Sequence, residues 1–461
     1  MKSNKFITSA LVALGIVSLA GVAQANTVIY LTGSTAARAL IFTAATTPGQ
    51  IFTTGGTVVS TGTGNTGNGA NTIVYEGTMS GISGLVDLDC SFTGSEAGIA
   101  SVAGQTLKQT VNTSATPITG IAANSLVNLP GIPTSFLVGP TWNTTSALPI
   151  ANDGRNGLTH PDLTMADTSQ AVSQTSVATS ALHDYGIVGI VPFTILKGYE
   201  STKDQAYNDL VNVTTAELNA NLGDGDIYNA NNYTGVATDN SDGVAIVGRN
   251  LGSGTRVNSL LAFNYGVNTV VDQFAYNVTY TSAGVLTFNG TYGPKTANTL
   301  WETANDGFDS GGNVQKELNV DGTGQGIILL GYLGTSDALN ALAPSAGFPA
   351  NAGAAVPLPY NGVYEGDTAV IQGNYPYWGE EHLLGSSANS STSSQFVAGT
   401  DIITGIQGIL GLANGSGTST AAAGTAAGNL STNPAQSILI PLGLMQVHRS
   451  GDTGYPLQGG F

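Results

Sequence analysis

Short apolar runs, closed by glycine, threonine or asparagine, recur along this chain and alternate with stretches of helical spacing. Residues 27–31, 72–75, 163–166 and 186–195 read as strands and 244–247 and 326–332 as buried ones, while 86–92 leads into a further turn in the place a strand would occupy. The run at 186–195 is long enough to pass between two domains. Helical spacing appears over 36–46 and over 214–222, where Thr214 and Glu217 stand as a capping box, and again where Val257, Leu260, Leu261 and Phe263 share a face. A longer helix is expected over 394–412, with Phe396, Ile402, Ile403, Ile406, Ile409 and Leu410 on one side despite four glycines. Residues 268–293 alternate in part like an antiparallel hairpin. Residues 358–363 carry the chain back to the first domain, 370–375 with Tyr377 and Trp378 continue it, and 437–442 close it as a strand. Strands alternating with helices predict an α/β protein with mainly parallel sheets flanked by helices, in which ligands sit beyond the carboxyl ends of the strands. The polar stretch at 49–71 predicts a surface loop or hairpin insertion and 414–433 a low-complexity loop, while the Pro- and Asn-rich residues 106–162 fit no regular element.

The first 25 residues change the picture of where the chain works. Lys2 and Lys5 precede an apolar run ending at Ala23-Gln24-Ala25, the pattern of a cleaved export signal. Two of the 12 Lys and Arg residues lie in this leader, so 10 remain against 29 Asp and Glu, a net charge near −19. Nucleic acid and anionic membranes are poor partners for such a surface. The charged fraction is only 9%, well below the usual quarter or so, with polar small residues in its place. Cys90 is the single cysteine, read as a core residue, so no internal disulfide is possible.

Three small-residue turns are the candidate chemistry. The run at 244–247 leads through Gly248 and Arg249 to Gly252-Ser253-Gly254-Thr255 and a helix. A helix start leaves four N–H groups without intrahelical partners and carries roughly half a positive charge, so it attracts anions. Ser253 and Thr255 add hydroxyls, and Arg249 offers a planar fork suited to an oxyanion. Only five arginines exist, and Arg249 and Arg256 bracket this turn. Thr32-Gly33-Ser34-Thr35 and Gly94-Ser95-Glu96 repeat the strand, turn, helix arrangement. Each alone equally fits an ordinary capped helix, with Glu96 complementing the dipole. Asp167 at the end of 163–166 either caps the next turn or accepts a hydrogen bond from a protonated ligand oxygen, which amides cannot do.

Taken together and in order, these motifs resemble the phosphate-type periplasmic substrate-binding proteins of ABC transporters, which have the two-lobed type 2 periplasmic binding protein fold. Gly331-Tyr332, Tyr360-Asn361-Gly362-Val363 and Gly373-Asn374-Tyr375-Pro376 extend the resemblance past the turns, with polar loop insertions between motifs. It implies a first lobe over 26–195, a second over 196–355 and a return over 356–461. It also implies that Thr35, Ala36, Ser95, Asp167, Arg249, Ser253, Gly254 and Thr255 hold inorganic phosphate or a similar oxyanion, with no cofactor and no metal. The implied protein is a periplasmic or secreted monomer serving an ABC permease. Two positions depart from the family pattern: Leu251 stands where an acidic residue usually accompanies the arginine, and Ala36 replaces a larger residue. A missing acid leaves Arg249 more strongly cationic, and Arg256 either adds charge or is a solvated helix residue.

Two other classes remain on the residues alone. An enzyme such as a phosphate-ester hydrolase would need a base beside Ser95 or Ser253, but the four histidines fall in no metal spacing and no nucleophile elbow or phosphate loop is present. A non-catalytic structural or adhesive surface protein would account for the Thr/Gly/Asn-rich insertions.

Overall fold

The computed structural model describes residues 26–61, 72–92, 94–103, 108–111, 114–119, 161–173, 182–224, 228–267, 271, 274–276, 278–280, 286–288, 293–294, 307–308, 310–344, 352–387, 390–410, 439–440, 442–449 and 457–458. The expected leader, most of 106–162 and the 414–433 loop lie outside the described residues.

The chain first lays down β1 (Thr27–Gly33), which turns into α1 (Arg38–Thr46), then β2 (Thr57–Thr61), β3 (Thr72–Gly77) and β4 (Val86–Phe92), which turns into α2 (Ser95–Ala103). A short hairpin of β5 (Lys108–Val111) and β6 (Ser114–Thr119) precedes β7 (Leu163–Ala166) and the sixteen-residue β8 (Leu182–Lys197). Helices α3 (Gln205–Asp209) and α4 (Thr215–Asp224), strand β9 (Tyr228–Asn229) and helix α5 (Asn231–Thr234) lead to β10 (Gly243–Val247) and α6 (Gly254–Ala262). The α4 start has capping-box geometry: Thr214 N–H donates to Glu217 Oε2 at 2.7 Å and Glu217 N–H donates to Thr214 Oγ1 at 3.3 Å. The expected hairpin is present as β12 (Val278–Tyr280) on β13 (Leu286–Phe288), framed by β11 (Phe274–Ala275) on β14 (Gly293–Pro294). Then come α7 (Gly311–Leu318), β15 (Ile327–Gly334), α8 (Thr335–Leu342), β16 (Val356–Leu358), α9 (Asp367–Ile371), β17 (Trp378–Ser386), α10 (Ser394–Ile409), and β18 (Val447–His448) paired with β19 (Leu457–Gln458).

One eleven-stranded sheet runs β2-β3-β4-β1-β7-β17-β8-β15-β10-β9, with β16 added on β8. Parallel pairing forms the heart of each half, β4-β1-β7 in one and β10-β15 in the other, while edge and joining strands run antiparallel. The long strand joins the halves: Leu182 to Pro192 of β8 face β17, and Phe193 to Lys197 face β15. A large apolar cluster extends from Ile29 and Leu88 through Val191 and Phe193 to Ile246 and Leu330, and a second, including Leu318, Leu329 and Phe308, underlies β10 and β15. Cys90 is fully buried within the first.

Helix α10 shows why its glycines do not break it. A Cβ on Gly405 would stand 2.6 Å from the Ile51 backbone nitrogen, so the residue that weakens an isolated helix lets this one approach the 50–51 turn. The return of the chain differs from expectation. Residues 367–371 form α9, and the returning strand is β17, which begins at Trp378 and runs on through Glu380, Glu381 and His382, a charged stretch that hydropathy does not mark as a strand. All three are buried. Within the described part of 437–442, the closing strand shrinks to a bridge between Ile440 and Ile190. No helix among the described residues is long and apolar enough to cross a membrane.

Candidate functional site

Three strands of the sheet end in the turns singled out above, and the turns touch. The Gly94 N–H donates to the Gly33 carbonyl at 2.8 Å, and the Ala97 N–H in the first turn of α2 donates to the Gly252 carbonyl at 3.1 Å. Gly94 has φ +115°, and a Cβ there would lie 2.3 Å from that same carbonyl oxygen, so no side chain fits between the second and third turns. At the first turn the Ser34 N–H donates to the Met165 carbonyl at 2.7 Å. The ends of β1, β4, β7 and β10 therefore meet at one place, although β10 is separated from the others by β17, β8 and β15 in the sheet.

Asp167, which follows β7, is the centre of this contact. Ser95 Oγ donates to Asp167 Oδ1 at 2.5 Å, Thr255 Oγ1 donates to Asp167 Oδ2 at 3.3 Å, and the Asp167 N–H donates to Ser95 Oγ at 3.2 Å. A Cβ on Gly254 would fall 1.7 Å from Asp167 Oδ1 and 2.7 Å from Ser95 Cβ. Only glycine permits the start of α6 to sit on that carboxyl. Ser253 is the N-cap of α6, its Oγ accepting from the Arg256 N–H at 3.3 Å, which leaves its hydroxyl proton to donate elsewhere. Burial pushes the Asp167 carboxyl above its ordinary range, while Ser95, Arg249 and Thr255 pull it back. Thr35 and Ala36 are half-buried and open a short 3-10 turn one step further out, where the Arg38 Nε–H donates to the Thr35 carbonyl at 2.8 Å.

Arg249 is 3% exposed; its Nε–H donates to the Phe308 carbonyl at 3.3 Å and its backbone N–H to the Tyr332 hydroxyl at 3.3 Å. The acid missing at Leu251 comes from elsewhere in the chain. Asp337, on α8, acts electrostatically on both Arg249 and Arg38. Burial raises the Asp337 carboxyl and the two guanidiniums pull it back down; burial lowers Arg38, Asp337 opposes that shift and Arg249 adds to it. Sequence could not pair residues this far apart. Arg256 is fully buried rather than solvated, and its Nη1–H donates to the Arg249 carbonyl at 3.2 Å.

Further residues escaped the sequence reading. Asn258 Nδ2–H donates to the Asp167 carbonyl at 2.7 Å and to the Gly254 carbonyl at 3.2 Å, a role its position one turn after Gly254 could have signalled. Glu96 is not a dipole cap in solvent: it is fully buried, and Thr168 Oγ1 at 3.0 Å and Ser173 Oγ at 2.8 Å donate to it, fixing the segment that follows Asp167. Behind the site the Tyr360 hydroxyl donates to the Ala262 carbonyl at 2.6 Å, and Ser259 and Tyr377 share a hydrogen bond of 2.5 Å. Among the described residues no group of three or more His, Cys, Asp or Glu is arranged to hold a metal ion. Chemically, the arrangement can offer helix-start amides, hydroxyls, a guanidinium and one acceptor carboxyl to a small oxyanion.

No protein-family model matches the sequence, and a comparison with curated proteins finds no match. Among solved structures the chain is similar to a putative phosphate ABC transporter substrate-binding protein with bound phosphate from Clostridium perfringens, at 10% identity over 82% of this chain and 93% of that one, with a TM-score of 0.38. It is also similar to a possible phosphate binding protein from Planctomyces limnophilus, at 11% identity over 79% and 83% of the two chains, TM-score 0.32. An ABC-type phosphate transport receptor from Vibrio cholerae matches at 12% identity over 52% of this chain and 73% of that one, TM-score 0.29. Similarity this distant leaves the ligand to be argued from the site itself.

Proposed function

We propose that this chain is an exported, monomeric solute-binding protein that captures phosphate or a related oxyanion between two lobes and delivers it to an ABC-type membrane permease, without catalysis. The first lobe would span 26–195 and the return 356–461, the second 196–355, with residues 1–25 removed on export to the periplasm. The observation that carries this reading is the seat of the α6 start on Ser95 and Asp167, where Gly254 leaves no room for a side chain.

In this reading the amides of Gly254, Thr255 and Ala36 and the hydroxyls of Thr35 and Ser253 replace the water shell of the anion, and the Ser95 hydroxyl turns from Asp167 Oδ1 to join them. Arg249 supplies charge. Asp167 accepts a hydrogen bond from the ligand, so a fully ionised sulfate meets a repelling carboxylate while a protonated phosphate gains a hydrogen bond. Closing of the lobes over the anion is what the permease would recognise.

Thermal unfolding against phosphate, arsenate, sulfate, molybdate and tungstate tests the reading. A ligand at about 100 times its dissociation constant adds about 2.7 kcal/mol of stability. Phosphate is expected to raise the melting temperature and Arg249→Ala to erase the rise. No shift with any of the five anions would overturn the transport role and leave the structural or adhesive reading in its place.

A further inference from the structure

We propose that Glu381 is a specificity-determining residue of this site: a second carboxyl facing Asp167 from the neighbouring strand, so that the pair carries one charge and the bound oxyanion must bring its own proton. The inference rests on the anion-binding reading above and adds a residue to it.

The register places the two acids together. The antiparallel ladder of β17 with β7 ends with His382 opposite Ala166, and Glu381 and Asp167 are the residues that continue the two strands past that last pair. Positions flanking the end of a ladder lie near enough for two carboxyls to interact, and the Asp167 charge acts on Glu381. Gly379, two residues earlier on the same face, confirms the approach, because a Cβ there would lie 2.8 Å from the Asp167 carbonyl oxygen and from the Asn258 side-chain amide. Glu381 is fully buried. Its Oε2 accepts from Ser34 Oγ at 3.2 Å, which ties it to the Gly33-Ser34-Thr35 turn, and its Oε1 has no hydrogen-bond partner.

The charged groups facing Glu381 are Asp167 and, from its own strand, His382. The histidine is directed elsewhere, its Nδ1 2.9 Å from Asp184 Oδ2 and its Nε2 3.6 Å from Glu380 Oε2. Gly189, opposite Glu381 on β8, brings no charge. Two buried carboxyls without a base between them do not both ionise near neutrality. Asp167 has the better claim to the charge: Ser95, Arg249 and Thr255 all favour its ionised form. Glu381 has Ser34 and a distracted histidine, and burial followed by the Asp167 charge pushes it well above the usual carboxylate range. Glu381 therefore keeps its proton, and Asp167 alone stays negative to accept a hydrogen bond from the protonated ligand. When Glu381 ionises at high pH, a second negative charge faces the anion and expels it.

The test compares the full chain with Glu381→Gln, which keeps an oxygen for Ser34 but cannot ionise. Inorganic phosphate affinity is measured by titration calorimetry from pH 6 to pH 10, together with the infrared carbonyl band of a protonated carboxyl in the ligand-free protein. The two proteins are expected to bind phosphate within threefold of each other at pH 6, with the wild type losing at least tenfold more affinity than the variant by pH 10. Because Asp89, Glu200 and Glu365 are also raised carboxyls, the band is read as the wild-type-minus-variant difference at pH 7, where the intensity of one carboxyl is expected. Parallel affinity profiles, or no such difference band, would overturn the proposal. Absence of phosphate binding by either protein at every pH, with the band present, would place the failure in the anion reading and remove the specificity role with it.

Discussion

The two sides of the candidate site treat buried charge in opposite ways. On the side of Arg249, two guanidiniums and the Asp337 carboxyl share a small volume, so positive charge is offset by a fixed negative partner. On the side of Asp167, two carboxyls stand just beyond the end of the β17–β7 ladder with hydroxyls and amides around them, and the offset comes from a proton. Burial raises Asp337 as it raises Asp167, but two guanidiniums pull Asp337 back, whereas Glu381 is pushed further up by its acid neighbour. The acidic side is therefore the one that holds a proton most firmly. In the proposed function the contrast also separates tasks: the basic side would attract any anion, and the acidic side would distinguish anions by whether they carry hydrogen.

The comparison is tested most severely by breaking the basic side. Asp337→Ala leaves two buried guanidiniums without their acid and is expected to cost about 3–5 kcal/mol of stability, the usual range for stranding a buried charge. Combining it with Arg249→Ala should cost less than the two single losses added, with a coupling of about 1–3 kcal/mol in urea unfolding. Strict additivity would mean that Asp337 does not serve Arg249. Gly254→Ala comes next. Its methyl group would overlap Asp167 Oδ1, so the contact between the sides must open, at about 1–3 kcal/mol by the same measurement. A variant as stable as the parent would show that the contact is dispensable. The smallest effect sharpens the acidic side. Because Asp167 holds its proton more firmly when folded than when unfolded, ligand-free stability falls as pH rises above about 4, the ordinary aspartate value. Asp167→Asn removes that decline, which amounts to at most about 1.4 kcal/mol per pH unit for one proton. Melting curves of the two proteins that keep a constant separation from pH 4 to pH 8 would contradict the assignment.

Much of the sheet was legible in the sequence because the centres of β1, β10 and β15 are apolar runs whose burial needs no knowledge of their neighbours, while β4 carries Asp87 and Asp89 between its apolar residues. The turns were legible for the same local reason: a strand end, small residues and a helix start lie consecutively. What stayed hidden depends on distant parts of the chain. Asp337 belongs to a helix more than 80 positions beyond Arg249 and carries no local sign of its partner. Glu381 sits in WGEEHLLGS, where consecutive acids read as solvent-facing, although β17 is a central strand buried along nearly its whole length. Leu251 posed the question of what balances Arg249, and only the fold could answer it. The α10 glycines make the converse point: propensity argued against a helix that close packing requires.

The joint between the halves of the sheet has a mechanical consequence. β8 crosses without interruption, hydrogen-bonded first to β17 and then to β15, and its pairing with β17 slips register at Glu381/His382 and again at Leu383/Leu384. Any separation of the halves has to flex a laddered ribbon rather than swing on slack connectors, and bulged rungs are where such a ribbon yields most readily. At the first slip the extra residue is Val188 of β8, beside the Glu381–Gly189 pair, so a carboxyl tied to the Ser34 turn adjoins one of the points where the two halves of the sheet can flex.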